Sequence, residues 1–293
     1  MSYRTRLDQA WLHTLTLPLH PDSGYILFSD CHRADGRAND NFLKNEFLYL
    51  AALRYYDRRG YTYLELGDGD ELWENRSMEK IKEMHPHSFE LLARLQSERR
   101  AYFIYGNHDL QKKDAGFCKK YLSTYRNSHS LRDHPLFPDS CFYSGILLED
   151  PLHKKNIFLT HGHQVEIMNS TFWKVNRFLV RYLWKNLELL GAPDPTSAAK
   201  NNTKKDRAEK RLCAWASENN LILIAGHTHR PMTGSKNSPY FNTGSCVHPA
   251  GITGIEIEHR TITLVKWSLG TKSDQTVYVE REVLGENVRI DDC

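Results

Sequence analysis

Short apolar runs rich in β-branched and aromatic residues recur along the chain, and polar residues able to bind metal directly follow each of them. The five runs cover residues 25–29, 61–66, 101–105, 156–160 and 221–225. Apolar runs of this length are typical of strands buried inside a sheet. Open α/β sheets build their sites from loops at the carboxyl ends of such strands, so the pattern predicts one site assembled from several loops.

Helical patterns lie between the first of these runs, and the pattern changes toward the end of the chain. An amphipathic stretch over residues 41–59 stops at Gly60, and a second helix is predicted from Pro86 to about residue 99. Residues 254–267 then predict a β-hairpin, and residues 276–283 a further strand. The chain is therefore predicted to be an α/β protein with mixed sheets, parallel early and antiparallel late.

Residues 164–220 interrupt this alternation between the fourth and fifth apolar runs. The segment predicts two helices around a linker at 191–195, and the first helix, about 171–190, carries more apolar residues than one buried face requires. Its ten Lys and Arg residues exceed its six Asp and Glu residues. An apolar, basic cap suits an amphiphilic, anionic substrate and is compatible with peripheral membrane contact through 171–190. A helical hairpin packed on the domain explains the same pattern.

Composition narrows the class of protein. With 293 residues and 40% hydrophobic content, the chain is predicted to form one domain over 1–293 that includes the 164–220 insertion. A formal net charge of +3 is small for a general nucleic-acid binder, so nucleic acid is not favoured as a partner. The six cysteines lie far apart, and no stretch resembles a signal peptide or a membrane span, so we expect a cytoplasmic protein with free thiols.

The polar residues after the apolar runs form five short motifs: D-x-H at Asp30, G-D at Gly67, GNHD at Gly106, HGH at His161 and GHTH at Gly226. Each motif alone is a weak signal, because short polar turns are common. Their ordered occurrence after five predicted strands indicates a shared metal site. Two divalent ions about 3.5–4 Å apart need a bridging carboxylate, for which Asp68 is suited. Imidazole and carboxylate ligands favour Mn, Fe, Zn, Co or Ni over Ca.

The blocks SDCH, GDGDE, GNHD, THGH and GHTHRP resemble the signature blocks of calcineurin-like metallophosphoesterases, and they frame residues 30–231. The resemblance implies a four-layer αββα sandwich of mixed sheets and two divalent metal ions, with Mn²⁺ as the leading candidate. It implies that one ion is held by Asp30, His32, Asp68 and His229. It also implies that the other is held by Asp68, Asn107, His161 and His227.

The same resemblance assigns roles beside the metals. His108 resembles the family's histidine that contacts the phosphate and protonates the leaving oxygen. Glu71 stands three residues after the bridging aspartate, where the carboxylate partner of that histidine is expected. Asn107 would contact the substrate as well as a metal, and His163 is expected to support the neighbouring ligand histidine.

Three arginines near the first two blocks are candidates for binding the phosphate. Arg33 and Arg37 lie in the loop HRADGR, and Arg76 follows the second block. A guanidinium pairs well with phosphate oxygens, yet exposed arginines beside a turn are more often solvated, so both interpretations stay open.

Within the family, the layout is most similar to that of UDP-2,3-diacylglucosamine hydrolases. These share the GDxxE form, a helical insertion after the fourth block and an NTGS-type strand after the fifth, here residues 242–245. Two departures stand against that likeness: His108 replaces an arginine typical of the subfamily, and HGH replaces HGD. Both departures move the chain toward other phosphodiesterases or pyrophosphatases.

The leading hypothesis is hydrolysis of a phosphodiester or pyrophosphate by a metal-activated water. The substrate would be a phosphate-containing small molecule or a lipid-linked compound such as a nucleotide-linked lipid precursor. A nuclease or cyclic-nucleotide phosphodiesterase would use the same metals, and a broad basic groove with stacking aromatics would favour it. A non-catalytic metal-binding scaffold is the third alternative; such a protein is expected to lose ligands, whereas every predicted ligand is present.

Overall fold

The computed structural model describes residues 1–37, 40–138, 142–180 and 202–293. Its strands, in chain order, are β1 (Leu15–Pro18), β2 (Tyr25–Phe28), β3 (Thr62–Leu66), β4 (Ala101–Ile104), β5 (Thr124–Arg126), β6 (Asp133–Pro135), β7 (Phe142–Tyr143), β8 (Gly145–Glu149), β9 (Ile157–Thr160), β10 (Ile222–Ala225), β11 (Tyr240–Asn242), β12 (Ile252–Glu258), β13 (Thr261–Thr271), β14 (Val277–Val283) and β15 (Val288–Arg289). Its helices are α1 (Tyr3–Leu12), α2 (Glu46–Arg58), α3 (Met78–Met84), α4 (Pro86–Ser97), α5 (Ala115–Tyr121), α6 (Ile167–Ser170), α7 (Trp173–Leu179) and α8 (Asn202–Glu218).

The larger sheet has eight strands and joins a parallel half to an antiparallel half. β2, β3, β4 and β7 are parallel neighbours in that order, with Tyr25 opposite Thr62 and Tyr63 opposite Ala101. On the other side of β2, β12 pairs antiparallel and is followed by β13 and β14, while β15 pairs with the start of β13. The predicted change from parallel to antiparallel strands is confirmed.

The smaller sheet has five strands in the order β1, β8, β9, β10, β11. Only β8 and β9 pair antiparallel in this sheet; the other neighbours are parallel. β9 and β10 therefore end at the same edge of the sheet. All residues of both strands are buried, as expected for central strands of a sheet covered on both faces.

Three hydrophobic clusters divide the molecule into four layers. The central cluster combines side chains of both sheets, such as Leu27 and Ile224. A second cluster packs α2 and α4 on the outer face of the larger sheet, with Tyr49 at its centre. A third packs α1 and α8 on the smaller sheet through residues such as Leu212 and Phe158. The predicted fold class, an α/β protein with an αββα arrangement of mixed sheets, is confirmed.

Helix boundaries follow local backbone chemistry. The Ser2 side chain accepts a hydrogen bond of 3.1 Å from Thr5 N at the start of α1. Pro86 occupies the first turn of α4, where its missing N–H is tolerated. α2 begins at Glu46, later than the predicted residue 41, and Gly60 follows its end with a φ of +75° that suits glycine.

The segment 164–220 is described on both sides of residues 181–201. α6 and α7 lie at its start, and α8 covers most of its end and packs on the smaller sheet through Leu212 and Trp215. α8 confirms the second of the two predicted helices. The predicted linker 191–195 and the later half of the predicted helix 171–190 lie outside the described residues.

Candidate metal centre

Loops that follow five strands meet where the carboxyl edges of the two sheets come together. The larger sheet contributes loops after β2, β3 and β4, and the smaller sheet contributes loops after β9 and β10. The side chains that the sequence predicts as metal ligands are carried on these loops: Asp30, His32, Asp68, Asn107, His161, His227 and His229. The fold brings these side chains together in two groups.

We call Asp30, His32 and His229 the first donor group; their donor atoms lie within 4.8 Å of one another. His229 Nε2 lies 2.9 Å from Asp30 Oδ1 and 3.3 Å from His32 Nε2. His32 Nε2 also lies 3.8 Å from Asp68 Oδ2. Four side chains from three loops therefore surround one small volume.

We call Asp68, His161 and His227 the second donor group, whose donor atoms also lie within 4.8 Å of one another. His161 Nε2 lies 3.1 Å from Asp68 Oδ2 and 3.2 Å from Asn107 Oδ1. The same Asp68 oxygen approaches His32 in the first donor group. Asp68 is thus placed between the two groups, as a bridging carboxylate must be.

The separations between these donors fit divalent first-row ions. Nitrogen and oxygen ligands bind such ions at about 2.0–2.2 Å, which places neighbouring ligands about 3–4 Å apart. Asp68 to His32, Asp68 to His161 and Asp30 to His229 are separated by 3.8, 3.1 and 2.9 Å. Imidazole and carboxylate donors are also the types that these ions prefer.

The charge distribution of the centre favours a cation. Burial alone would raise the pKa of Asp68, but His161, His108 and His32 hold that pKa well below its usual value. Burial alone would lower the pKa of His161, but Asp68 and Asp30 raise that pKa to about 9. Surroundings that hold a proton on His161 at neutral pH also stabilise a metal ion in place of that proton.

The backbone of the ligand loops is strained at the ligand positions themselves. φ is +51° at Asp30, +49° at His32, +51° at Asp68, +68° at His227 and +55° at His229. Asp and His tolerate this left-handed region better than most residues, yet such positions still cost about 1–3 kcal/mol each. Backbone hydrogen bonds hold the loops, including Asp30 N to Gly67 O at 3.0 Å. Strained backbone that is held in this way is typical of functional sites.

Three glycines of the motifs provide room for the donors. A Cβ at Gly106 would lie 2.0 Å from Asp68 Oδ1, and one at Gly226 would lie 2.3 Å from Ser29 Oγ. A Cβ at Gly67 would lie 2.7 Å from the His161 ring, and this residue also has a φ of +88°. The glycines of the motifs are therefore required by close approach to the centre.

Glu71 joins the predicted acid His108 to the first donor group. Its Oε2 lies 2.7 Å from His108 Nδ1 and 2.9 Å from His32 Nδ1. Its Oε1 accepts backbone hydrogen bonds of 3.1 Å from Trp73 N and 3.2 Å from Glu74 N. The carboxylate is consequently fixed at both oxygens, and the fold brings His108 and Glu71 together as the sequence predicts.

Two further ring contacts lie beside these residues. The Trp73 ring stacks on the His108 imidazole with centroids 4.3 Å apart and an interplanar angle of 21°. The His163 ring lies 5.5 Å from the His161 ring, next to the ligand that it was expected to support. The stacking of Trp73 could not be predicted, because a tryptophan two residues after Glu71 is more often ordinary core.

Arg33 requires a correction. The sequence led us to expect a loop arginine that reaches the phosphate, but Arg33 is 1% exposed. Its Nε donates to Asp70 Oδ1 at 2.7 Å, and its Nη1 and Nη2 donate to Glu65 at 2.9 and 2.8 Å. A guanidinium satisfied by two buried carboxylates is part of the interior. Arg37 and Arg76 are exposed, and Arg37 lies 3.3 Å from Asp35.

Glu166 is a site residue that the sequence did not indicate. It lies at the start of the segment 164–220, and its Oε2 is 3.1 Å from His227 Nε2 in the second donor group. The Asn169 side chain donates to the same oxygen, and the buried Asn176 donates to Asn169 Oδ1 at 2.8 Å. The available signal was a carboxylate three residues after HGH, which is too common a feature to single out.

This architecture and this centre define a class, the metal-dependent hydrolases that build their site at the edges of two stacked sheets. A family model described as calcineurin-like phosphoesterase matches residues 25–231, more than half of the chain. The chain belongs to the calcineurin-like phosphoesterase family. It is accordingly a metal-dependent phosphoesterase.

A search of curated proteins found no match. Vps29 of Chaetomium thermophilum is 11% identical, with 91% of this chain and 97% of that chain covered and a TM-score of 0.43. A point mutant of a cold-active protein tyrosine phosphatase is 14% identical, with coverages of 93% and 82% and a TM-score of 0.41. Likenesses at these scores carry no information about substrate.

Among the described helices, none combines the length and the apolar character that crossing a membrane requires.

Proposed function

We propose that the chain hydrolyses a phosphodiester or pyrophosphate at a dinuclear metal centre. One ion would be held by Asp30, His32, Asp68 and His229, and the other by Asp68, Asn107, His161 and His227. The observation that carries this proposal is the position of Asp68 Oδ2, 3.8 Å from His32 Nε2 and 3.1 Å from His161 Nε2. Mn²⁺ is the proposed ion, and Fe, Zn, Co or Ni suit the same donors.

The chemistry divides between the ions and the chain. When bound, the two ions would supply Lewis acidity toward the phosphoryl oxygens and a water acidic enough to attack phosphorus near neutral pH. His108 would donate a proton to the leaving oxygen. Burial opposes a charge on His108, but Glu71 and Asp68 raise its pKa, which favours the protonated form that an acid requires. The stacked Trp73 ring and the fixed Glu71 carboxylate would orient the imidazole.

The first part of the segment 164–220 supports a substrate with an apolar portion. Large apolar side chains are exposed there: Ile167 by 48%, Phe172 by 49%, Val175 by 52% and Phe178 by 60%. α8, at the end of the same segment, is rich in Lys and Arg. We propose that this segment forms a cap in one domain spanning 1–293, over a substrate such as a nucleotide-linked lipid precursor. The same apolar side chains suit contact with a membrane surface.

The test is hydrolysis of bis-p-nitrophenyl phosphate and p-nitrophenyl phosphate by metal-stripped protein, with Mn, Fe, Co, Ni, Zn or Mg added back. We expect metal-dependent cleavage with preference for the diester. Asp68→Ala, purified in the same way, controls for a contaminating phosphatase. Absence of turnover with every metal, in protein shown by elemental analysis to hold two ions, would contradict the proposal.

A further inference from the structure

A cavity of about 560 Å³ lies beside the metal centre. Its walls come from α1, from the loop after β4, from β7 and from the start of the segment 164–220. Two of its lining residues are close in sequence to proposed ligands: Tyr105 precedes Asn107 by two residues, and His163 follows His161 by two. Leu110 follows the proposed acid His108 by two residues. The cavity is therefore built on the same loops as the centre.

Arg6 is a buried cation in the wall of this cavity. It is 9% exposed, and its guanidinium donates to two backbone carbonyls, Gln164 O at 2.6 Å and Met1 O at 2.8 Å. No carboxylate among the described residues lies within ion-pairing distance of it. Burial and, secondarily, the neighbouring Arg211 lower the pKa of Arg6. A buried charge without a counter-charge is unfavourable unless a ligand supplies one.

The other described residues of the wall also favour an anionic ligand over a cationic one. His163 is 4% exposed, and its buried Nδ1 has no hydrogen-bond partner. Lys113 is an exposed cation at the rim of the cavity. Within the described part of the lining there is no Asp or Glu, while aromatic rings such as Tyr143 and Trp173 provide apolar surface. Two cations, one buried imidazole nitrogen without a partner and several aromatic rings together suit an anion attached to an apolar group.

We propose that this cavity binds a second anionic group of the substrate, a phosphate or carboxylate carried on an apolar or aromatic moiety, away from the phosphorus that is attacked. This proposal rests on the proposed hydrolytic function and specifies its substrate class. Arg6 and Lys113 supply the positive charge, and His163, in the tautomer protonated at Nδ1, donates a further hydrogen bond. A substrate with a single anionic group would leave the cavity unused.

The first test measures binding of phenylphosphonate to the metal-free protein by titration calorimetry. We expect binding that weakens about tenfold in Arg6→Met, because a charge-assisted hydrogen bond is lost, and severalfold in Lys113→Gln. Lys119→Gln, an exposed lysine on α5 outside the cavity, is the matched control and should bind as the wild type does. Equal affinity in all four proteins, or no binding to the wild type, overturns the proposal.

Arg6 also holds the chain terminus and the segment 164–220, so Arg6→Met is accompanied by a thermal unfolding measurement. If that variant is unfolded, binding of phenylphosphonate is measured in Lys113→Glu instead. The Lys113 side chain is exposed, so reversing its charge should abolish binding without affecting the fold. Unchanged affinity in Lys113→Glu then overturns the proposal.

The second test uses the metal-loaded enzyme and compares alkylene bisphosphonates of increasing length with the alkyl monophosphonate of equal length as inhibitors. We expect one length of bisphosphonate to inhibit about tenfold better than its partner, and this preference to disappear in Lys113→Gln. Cleavage of bis-p-nitrophenyl phosphate without any bisphosphonate preference overturns the cavity proposal alone. If phenylphosphonate binding depends on Lys113 but the protein is inactive with every metal, the hydrolytic function alone is overturned.

Discussion

The two donor groups contain the same kinds of side chain. They differ in the residues outside each group that contact its imidazole nitrogens. In the first donor group, His32 Nδ1 contacts Glu71, whose other oxygen is fixed by the backbone of the same loop. In the second, His161 Nδ1 contacts Leu66 O at 2.8 Å, while His227 Nε2 contacts Glu166 at the start of the segment 164–220. His32 is thus held by a loop of the larger sheet, whereas His227 is held by the start of the segment 164–220.

This difference divides the centre into a part fixed by the core of the fold and a part linked to the proposed cap. Glu166 is itself held by Asn169, and Asn169 by Asn176, which is fully buried on α7. A chain of polar contacts therefore runs from the second donor group into the helices of the segment 164–220. Outer contacts of metal ligands commonly change metal affinity by 10- to 100-fold. Changes in this segment should therefore affect one ion more than the other.

The largest effect is expected from the residue shared by both groups. Asp68→Ala removes the carboxylate that faces His32 and His161, and we expect hydrolysis to fall by about 10³-fold or more, since bridging stabilises both ions. Elemental analysis should show the loss of at least one ion. Asp133→Ala, an exposed aspartate on β6, is the control. Two ions and normal turnover in Asp68→Ala would show that the donor groups are independent.

A smaller and more selective loss is expected when the proposed acid is removed. His108→Gln should retain both ions, because His108 belongs to neither proposed ligand set. The rate should fall by about 10²- to 10⁴-fold for substrates with poor leaving groups and much less for p-nitrophenolate. The measurement is kcat against the pKa of the leaving group, with metal content determined in the same samples. An equal loss for all leaving groups would contradict the acid role.

The separate support of the two groups is tested by changing Glu166 and Glu71 one at a time, since these carboxylates contact His227 and His32. Glu166→Gln should weaken the binding of one ion by about 10- to 100-fold and leave the other unchanged, because His227 is the one proposed ligand among the described residues that this side chain contacts. Titration calorimetry with Mn²⁺ into metal-free protein resolves the two events. Glu83→Gln, an exposed residue on α3, serves as the control.

Glu71→Gln is the reciprocal change and should weaken the other ion, since Glu71 contacts His32. If both variants weaken the same ion, or both ions equally, then the two groups do not have separate supports.

The positions of the proposed ligands could be predicted from sequence because each depends on a local signal. A buried strand followed directly by Asp, His or Asn places the side chain at the carboxyl edge of a sheet, and the fold brings those edges together. Arg33 and Arg37 show the limit of such reasoning. Both belong to the hexapeptide HRADGR, yet Arg33 is buried against Glu65 and Asp70 while Arg37 is exposed. Only the long-range contacts of the fold distinguish them.

Features that depend on contacts between distant parts of the chain could not be predicted from the sequence pattern. α1 has a weak apolar pattern in sequence, and it is held by packing of Leu7 and Ala10 on the smaller sheet. Glu166 acquires its role through contact with His227, a residue far away in the chain. The cavity beside the centre depends in the same way on α1 meeting the loops after β4 and β9.

The last prediction concerns the pH dependence of stability. It depends on His85, a buried histidine that has two carboxylate neighbours and belongs to neither donor group. His85 is fully buried, with Nε2 2.9 Å from Asp40 Oδ2 and Nδ1 3.1 Å from Glu46 Oε2. Burial alone would lower the pKa of His85, but Asp40 and Glu46 raise it to about 9 from an ordinary value of 6.5. Here the carboxylates hold a proton on the imidazole, where the donor groups would hold an ion.

Because the pKa of His85 is higher in the folded than in the unfolded chain, its stabilisation is complete below about pH 6.5 and is lost as pH rises toward 9. The free energy of unfolding of metal-free protein should fall over this range by on the order of 2–3 kcal/mol more than that of His85→Gln, which lacks the titrating group. Urea unfolding at pH 6 and pH 9.5 measures the difference, and the shared titration of the donor groups cancels between the two proteins. Parallel pH profiles would mean that His85 is neutral in the fold, and that paired carboxylates alone do not hold positive charge in this interior.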